Sequence, residues 1–106
     1  MEKGIYTALV TPFKSSGEVD AEKTEFFIER QIKGGVKGVV LVGTTGEAPT
    51  LSREEKDMIV ERAVKKFKGR TTIIAGCGSF DTRQAVSLAK RYGDMGADFL
   101  LSVAPY

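Results

Sequence analysis

Four short runs rich in apolar and β-branched residues, Ile5–Val10, Val39–Val42, Thr72–Ala75 and Phe99–Val103, constrain this chain more than any other feature. Runs of this kind suit strands buried on both faces of a parallel sheet. Longer segments of helical period lie between them. The first, Ala21 to Lys33, follows Asp20 as an N-cap and stops at Gly34-Gly35. The second runs from Arg53 to Phe67. Ser52 and Glu55 have the capping-box spacing, Val60, Val64 and Phe67 share one stripe, and Gly69 follows. The third starts after Asp81, with Gln84 placed to complete a second capping box. Ala85, Leu88, Ala89 and Tyr92 lie on its inner face and it ends near Gly96. Gly93 inside it costs about 1 kcal/mol relative to alanine, so early fraying is expected.

The order is strand, helix, strand, helix, strand, helix, strand. Parallel neighbours need crossover connections, which are right-handed. The fold class is therefore α/β. Gly35, Gly69 and Gly96 punctuate the chain at intervals of about 30 residues, one βα unit each. A length of 106 residues accommodates one domain, 1–106, with no linker or low-complexity tract. Two architectures fit: a small open parallel sheet of the flavodoxin-like kind, or part of a (β/α)8 barrel. A barrel normally needs about 250 residues. Length favours the open sheet. Against it, Ala104-Pro105-Tyr106 follows the fourth strand with no covering helix, which leaves an apolar strand at an edge.

Composition excludes several classes of function. With no histidine and one cysteine, Cys77, the chain has neither the usual zinc ligands nor a histidine-based triad, and no disulfide framework. No metal or cofactor is expected. Sixteen basic residues against 14 acidic ones give a net charge of +2, too even to point to nucleic acid or an anionic membrane. The densest basic cluster, Lys65-Lys66 and Lys68, follows Glu54, Glu55, Asp57 and Glu61, the polarity that a helix dipole favours. No apolar run approaches 18 residues and Met1-Glu2-Lys3-Gly4 lacks a signal pattern, so a cytoplasmic protein is expected.

In parallel α/β folds, ligands collect beyond the carboxyl ends of the strands. Those positions hold Thr11-Pro12-Phe13, Gly43-Thr44-Thr45-Gly46-Glu47, Gly76-Cys77-Gly78-Ser79 and Pro105-Tyr106. In the second loop, two glycines permit a tight turn whose N–H groups form an anion-holding nest, and two adjacent hydroxyls can donate to a carboxylate or pass a proton. An ordinary glycine turn with hydroxyls capping nearby backbone fits the same spacing, which leaves both readings open. Gly76-Cys77-Gly78 lacks the third glycine of a dinucleotide fingerprint, since Asp81 stands there. Cys77 has no histidine to activate it and reads as a small buried residue. Tyr6 reads as core, and Phe26-Phe27-Ile28 as packing surface.

Gly43-Thr44-Thr45-Gly46-Glu47, followed by Thr50-Leu51-Ser52 and Glu54-Glu55, resembles the signature of the dihydrodipicolinate synthase family, pyruvate-dependent class I aldolases and lyases on (β/α)8 barrels. Ala8-Leu9-Val10-Thr11-Pro12-Phe13 matches the family's opening. Ile74-Ala75-Gly76-Cys77-Gly78-Ser79 matches its third-strand segment, and Val103-Ala104-Pro105-Tyr106 its fourth-strand end. The resemblance covers the N-terminal half of such an enzyme, so the implied fold is four parallel strands and three helices of a (β/α)8 TIM barrel. It implies a lysine on a later strand that forms a Schiff base with pyruvate, whose enamine attacks an aldehyde, aspartate β-semialdehyde in the synthase itself, on the route to lysine and diaminopimelate. It assigns the pyruvate carboxylate to Thr45 and a proton relay to Thr44. The sialic-acid lyases of the family more often have serine at the position of Thr44. Tyr106 takes an interface role, one residue before the family's relay tyrosine.

The chain departs from the family pattern in two further ways. Lys3, Lys14, Lys33 and Lys37 sit at termini, in a loop or beside glycines, and Lys23, Lys56, Lys65, Lys66, Lys68 and Lys90 on or beside helices. None has the desolvated strand-end position of a Schiff-base amine, so residues 1–106 alone are expected to be inactive. Lysine-regulated members bind lysine near positions matching Ala48, Arg53, Lys56, Phe80, Gln84 and Tyr106. Phe80 and Gln84 replace the amide and carboxylate expected there, so the resemblance does not carry lysine inhibition over. Three functions stay in play: part of a pyruvate-dependent synthase, a non-catalytic half-barrel that binds or builds, and a sibling aldolase acting on a keto-deoxy sugar acid. The expected partners are small molecules, and either the remaining half of the barrel or further copies in a homo-oligomer.

Overall fold

A computed structural model describes residues 1–104. The strands are β1 (Tyr6–Ala8), β2 (Gly38–Leu41), β3 (Thr72–Gly76) and β4 (Phe99–Leu101). The helices are α1 (Ala21–Lys33), α2 (Arg53–Phe67) and α3 (Thr82–Met95), with a 3-10 turn at Ala48–Thr50. The sheet order is β1-β2-β3-β4 and every pairing is parallel. Sequential parallel strands joined by helices are the repeating unit of a barrel wall, whereas a flavodoxin-like sheet reverses its strand order at a switch point. The open-sheet alternative is thereby set aside.

Each helix begins at a cap that its sequence specifies. Asp20 accepts a hydrogen bond from the Lys23 amide at 3.0 Å. Ser52 and Glu55 form the full reciprocal box. Asp81 accepts from the Arg83 amide at 2.9 Å, but the second box does not form. The Asp81 amide donates to Ser79 Oγ instead, and Gln84 turns to the same Ser79 hydroxyl. The helix does not end early at Gly93 either. Fully buried Tyr92 and buried Leu88 anchor the helix, which continues to Met95 and stops at Gly96 with φ of 105°. Packing of the inner face outweighs one glycine's propensity.

The core lies between the helices and one face of the sheet. Val39 registers with Ile73 and Leu41 with Ala75, and these four side chains are buried against Ile28, Val60, Phe67 and Tyr92. Alternation along the strands turns Val40, Ile74 and Phe99 to the opposite face. Phe99, Leu100 and Leu101 are exposed, as is Ile5 at the other edge. The strands are shorter than the apolar runs because a run continues past the point where a neighbour ends. Val10 and Val103, for instance, are exposed beyond their ladders.

Two placements differ from expectation. Of Phe26-Phe27-Ile28, Ile28 is fully buried and Phe27 packs on the core, but Phe26 faces outward. Tyr6 is only half-buried, because β1 is an edge strand, and its hydroxyl donates to the Glu2 carbonyl at 2.6 Å. The basic cluster is partly engaged: Lys68 donates to the Gly96 carbonyl and pairs with Asp98 at 3.4 Å. Among the described residues no helix is long and apolar enough to cross a membrane.

Candidate functional site

Parallel pairing brings the carboxyl ends of all four strands to one rim. Thr11 follows β1, residues 43–47 follow β2, Cys77 to Ser79 follow β3 and Val103 follows β4. The double-threonine loop is closed by its own backbone. The Glu47 amide donates to the Thr44 carbonyl at 3.0 Å, and the Ala48 amide to the Gly43 carbonyl at 3.2 Å. These two amides are thus not available to an anion, and the nest that the glycines permit is confined to the amides before them. Thr44 and Thr45 are both exposed.

Two residues with side chains bracket the loop in left-handed backbone, Val42 with φ of 48° and Glu47 with φ of 62°. For a β-branched residue such as Val42 this is a strained conformation, costing about 1–3 kcal/mol, and it persists only where surrounding contacts dictate it. Val42 is buried. Behind it, a Cβ on Gly76 would collide with the Val42 carbonyl oxygen and stand 2.9 Å from the Gly43 Cα, so β3 passes the loop at a distance that only glycine allows. In front, buried Thr11 donates its hydroxyl to the Gly46 carbonyl at 2.7 Å. The sequence places Thr11 at a strand end where ligands collect but assigns it no role, and it does not single out Val42. Thr11 stands directly after the first apolar run, Ile5–Val10, but nothing in the spacing marks its hydroxyl as a tie to a loop 35 residues away.

A cavity of about 140 Å³ opens beside the loop. Val42, Gly43, Thr44, Ala48, Pro49, Lys56, Gly76, Gly78, Ser79, Phe80, Gln84, Leu88, Leu101 and Val103 line it. Thr44 is therefore on the cavity wall, while Thr45 is at the rim outside it. Of the positions matched to lysine binding, Ala48, Lys56, Phe80 and Gln84 meet at this cavity; Arg53 instead donates to Ser87 Oγ at 2.8 Å. Lys56, placed on a helix by its periodicity, also reaches the cavity. Tyr106 lies outside the described residues.

Cys77 is buried, and that burial pushes its thiol pKa up, which disfavours the thiolate that nucleophilic attack requires. Tyr92 is pushed up to about 12 by burial first and by the Asp57 charge second. Among the described residues the Tyr92 hydroxyl and Asp57 Oδ1 have no hydrogen-bond partner, while Asp57 Oδ2 pairs with Arg91 at 2.7 Å. Among the described residues no three histidine, cysteine, aspartate or glutamate side chains form a metal-holding group.

Sequential parallel strands, crossover helices on one face and a ligand rim at the strand carboxyl ends define the N-terminal part of a (β/α)8 barrel. The chain belongs to the dihydrodipicolinate synthetase family, whose model matches residues 1–106. A 4-hydroxy-tetrahydrodipicolinate synthase of Methanocaldococcus jannaschii is 48% identical over 106 residues, which are 100% of this chain and 36% of that protein. The crystal structure of dihydrodipicolinate synthase from Aquifex aeolicus superposes with a TM-score of 0.94 at 44% identity, covering 99% of this chain and 36% of that one. The chloride-inhibited dihydrodipicolinate synthase of Acinetobacter baumannii, solved in complex with pyruvate, superposes with a TM-score of 0.93 at 43% identity, covering 97% of this chain and 35% of that one. The chain thus spans about a third of the length of the relatives it matches.

Proposed function

We propose that residues 1–106 are the N-terminal portion of a cytoplasmic lyase that condenses pyruvate with aspartate semialdehyde to give 4-hydroxy-tetrahydrodipicolinate. They form a partial barrel domain that further strands complete. The observation that carries this reading is the double-threonine loop, held in strained backbone at the strand carboxyl ends. Membership of a family with a pyruvate-bound relative supports it. Thr45, exposed at the rim, donates to the pyruvate carboxylate. Thr44, on the cavity wall beside it, passes protons during Schiff-base formation and carbon–carbon bond formation. A threonine hydroxyl suits both tasks, because it donates and accepts at once. The amine that forms the Schiff base comes from a lysine outside these residues, and the barrel is completed by the rest of the polypeptide in a homo-oligomer.

Substitution of Thr45 in the complete protein tests the assignment. Thr45→Val keeps the volume and removes the donor. Losing one hydrogen bond to a carboxylate should weaken pyruvate binding by about 1.5–3 kcal/mol, read as a raised KM for pyruvate. An unchanged KM would remove Thr45 from the pyruvate site.

A further inference from the structure

We infer that Thr11 is a positioning residue for the substrate loop, an inference that rests on the assignment of that loop to pyruvate. The large majority of buried hydroxyls have a hydrogen-bond partner. A threonine in a loop ordinarily finds one in its own turn. Thr11 instead donates across 35 residues of sequence to the Gly46 carbonyl, at 2.7 Å. That carbonyl belongs to the peptide whose N–H, on Glu47, closes the loop onto the Thr44 carbonyl. Fixing one end of the peptide plane fixes the other. The Thr11 hydroxyl therefore orients the hydrogen bond that brackets both threonines.

The fit around Gly46 leaves little room for an alternative. A Cβ there would stand 3.1 Å from Thr11 Oγ1 and 3.2 Å from the Leu9 carbonyl oxygen, so β1 and its loop press directly on the substrate loop. Val42 on one side and Glu47 on the other stand in left-handed backbone, which side chains disfavour. Without the Thr11 hydrogen bond the loop has a route to relax, and Thr44 and Thr45 lose their register to the cavity and the rim.

The test uses the complete protein without ligand, with amide hydrogen exchange at Glu47 and Ala48 as the first readout and pyruvate kinetics as the second. Thr11→Val removes the hydroxyl at constant volume. It should speed exchange at both amides by about tenfold and lower kcat/KM for pyruvate by at least as much, measured per folded site well below the unfolding temperature. Thr11→Ser, which keeps the hydroxyl, should restore both. If Thr11→Val does not fold, the comparison of Thr11→Ser with Thr11→Ala isolates the hydroxyl equally well. Unchanged exchange in the hydroxyl-free variant overturns the positioning role, whatever the kinetics show. Faster exchange with unchanged pyruvate kinetics upholds the loop tie and overturns the assignment of the loop to pyruvate.

Discussion

Val42 and Glu47 hold the double-threonine loop in backbone that their side chains resist. The cost falls on the two residues that bracket the loop, where Val42 is buried, Thr11 after β1 is tied to the Gly46 carbonyl and Gly76 of β3 passes close behind. The roles proposed for the two threonines give them different kinetic signatures. Thr44 lines the cavity and Thr45 does not. Under the proposed relay role, Thr44→Val in the complete protein should lower kcat with little change in the KM for pyruvate, since a relay acts between chemical steps. A raised KM with unchanged kcat would exchange the two roles. The residue pattern Gly-Thr-Thr-Gly-Glu was legible as a tight hydroxyl-bearing turn, because glycine and threonine advertise those properties wherever they stand. The left-handed valine was not legible, because local preference opposes that conformation and only tertiary contact imposes it. The Thr11 tie was hidden for the same reason: a contact across 35 residues leaves no trace in local spacing.

Helix termini were legible almost to the residue, and strand termini were not. Asp20, Ser52 and Asp81 cap their helices through their own side chains, a local chemistry written in consecutive residues. A strand ends where its neighbour ends, which no single run records. Gln84 shows the limit of a spacing rule, since the hydroxyl of Ser79 competed successfully for the groups that a second capping box needs. Ser52→Ala should cost about 1 kcal/mol of stability in chemical denaturation, against about 3–5 kcal/mol for Phe67→Ala at the centre of the core. A Ser52→Ala cost equal to that of Phe67→Ala would contradict the view that packing, and not capping, dominates α2. Between α2 and α3, Tyr92 adds a pH dependence. Its folded pKa of about 12 exceeds the ordinary 10.0, so the fold favours the neutral phenol. This contribution is fully present below pH 10.0 and is lost as pH rises through about 12. Tyr92→Phe removes both that titration and an unpartnered buried hydroxyl. The variant should show a shallower alkaline loss of stability at little or no cost at neutral pH. A parallel pH profile for the two proteins would contradict this.

Over the whole described sheet, one face is covered by helices and the other carries apolar side chains with no helix over them. Ile5, Phe99, Leu100 and Leu101 are exposed at its two edges. Barrel closure requires a fixed number of strands at a common tilt, and four do not suffice. Residues 1–106 expressed alone should therefore self-associate, with sedimentation showing oligomers or aggregates at micromolar concentration. A stable, well-folded monomer would contradict the barrel-wall reading of the sheet. The α/β order was legible from periodicity alone, whereas the choice between barrel wall and open sheet came from the family resemblance of the loops and then from strand order. Length had pointed the other way.

On the function proposed, this rim serves a pyruvate Schiff base whose amine lies elsewhere in the polypeptide. Borohydride trapping of labelled pyruvate on the complete protein, followed by peptide mapping, tests it most directly. The predicted result is a single adduct per chain on a lysine outside residues 1–106, with trapping at low pyruvate diminished by Thr45→Val. No adduct, or an adduct on Lys56 at the cavity, would contradict it.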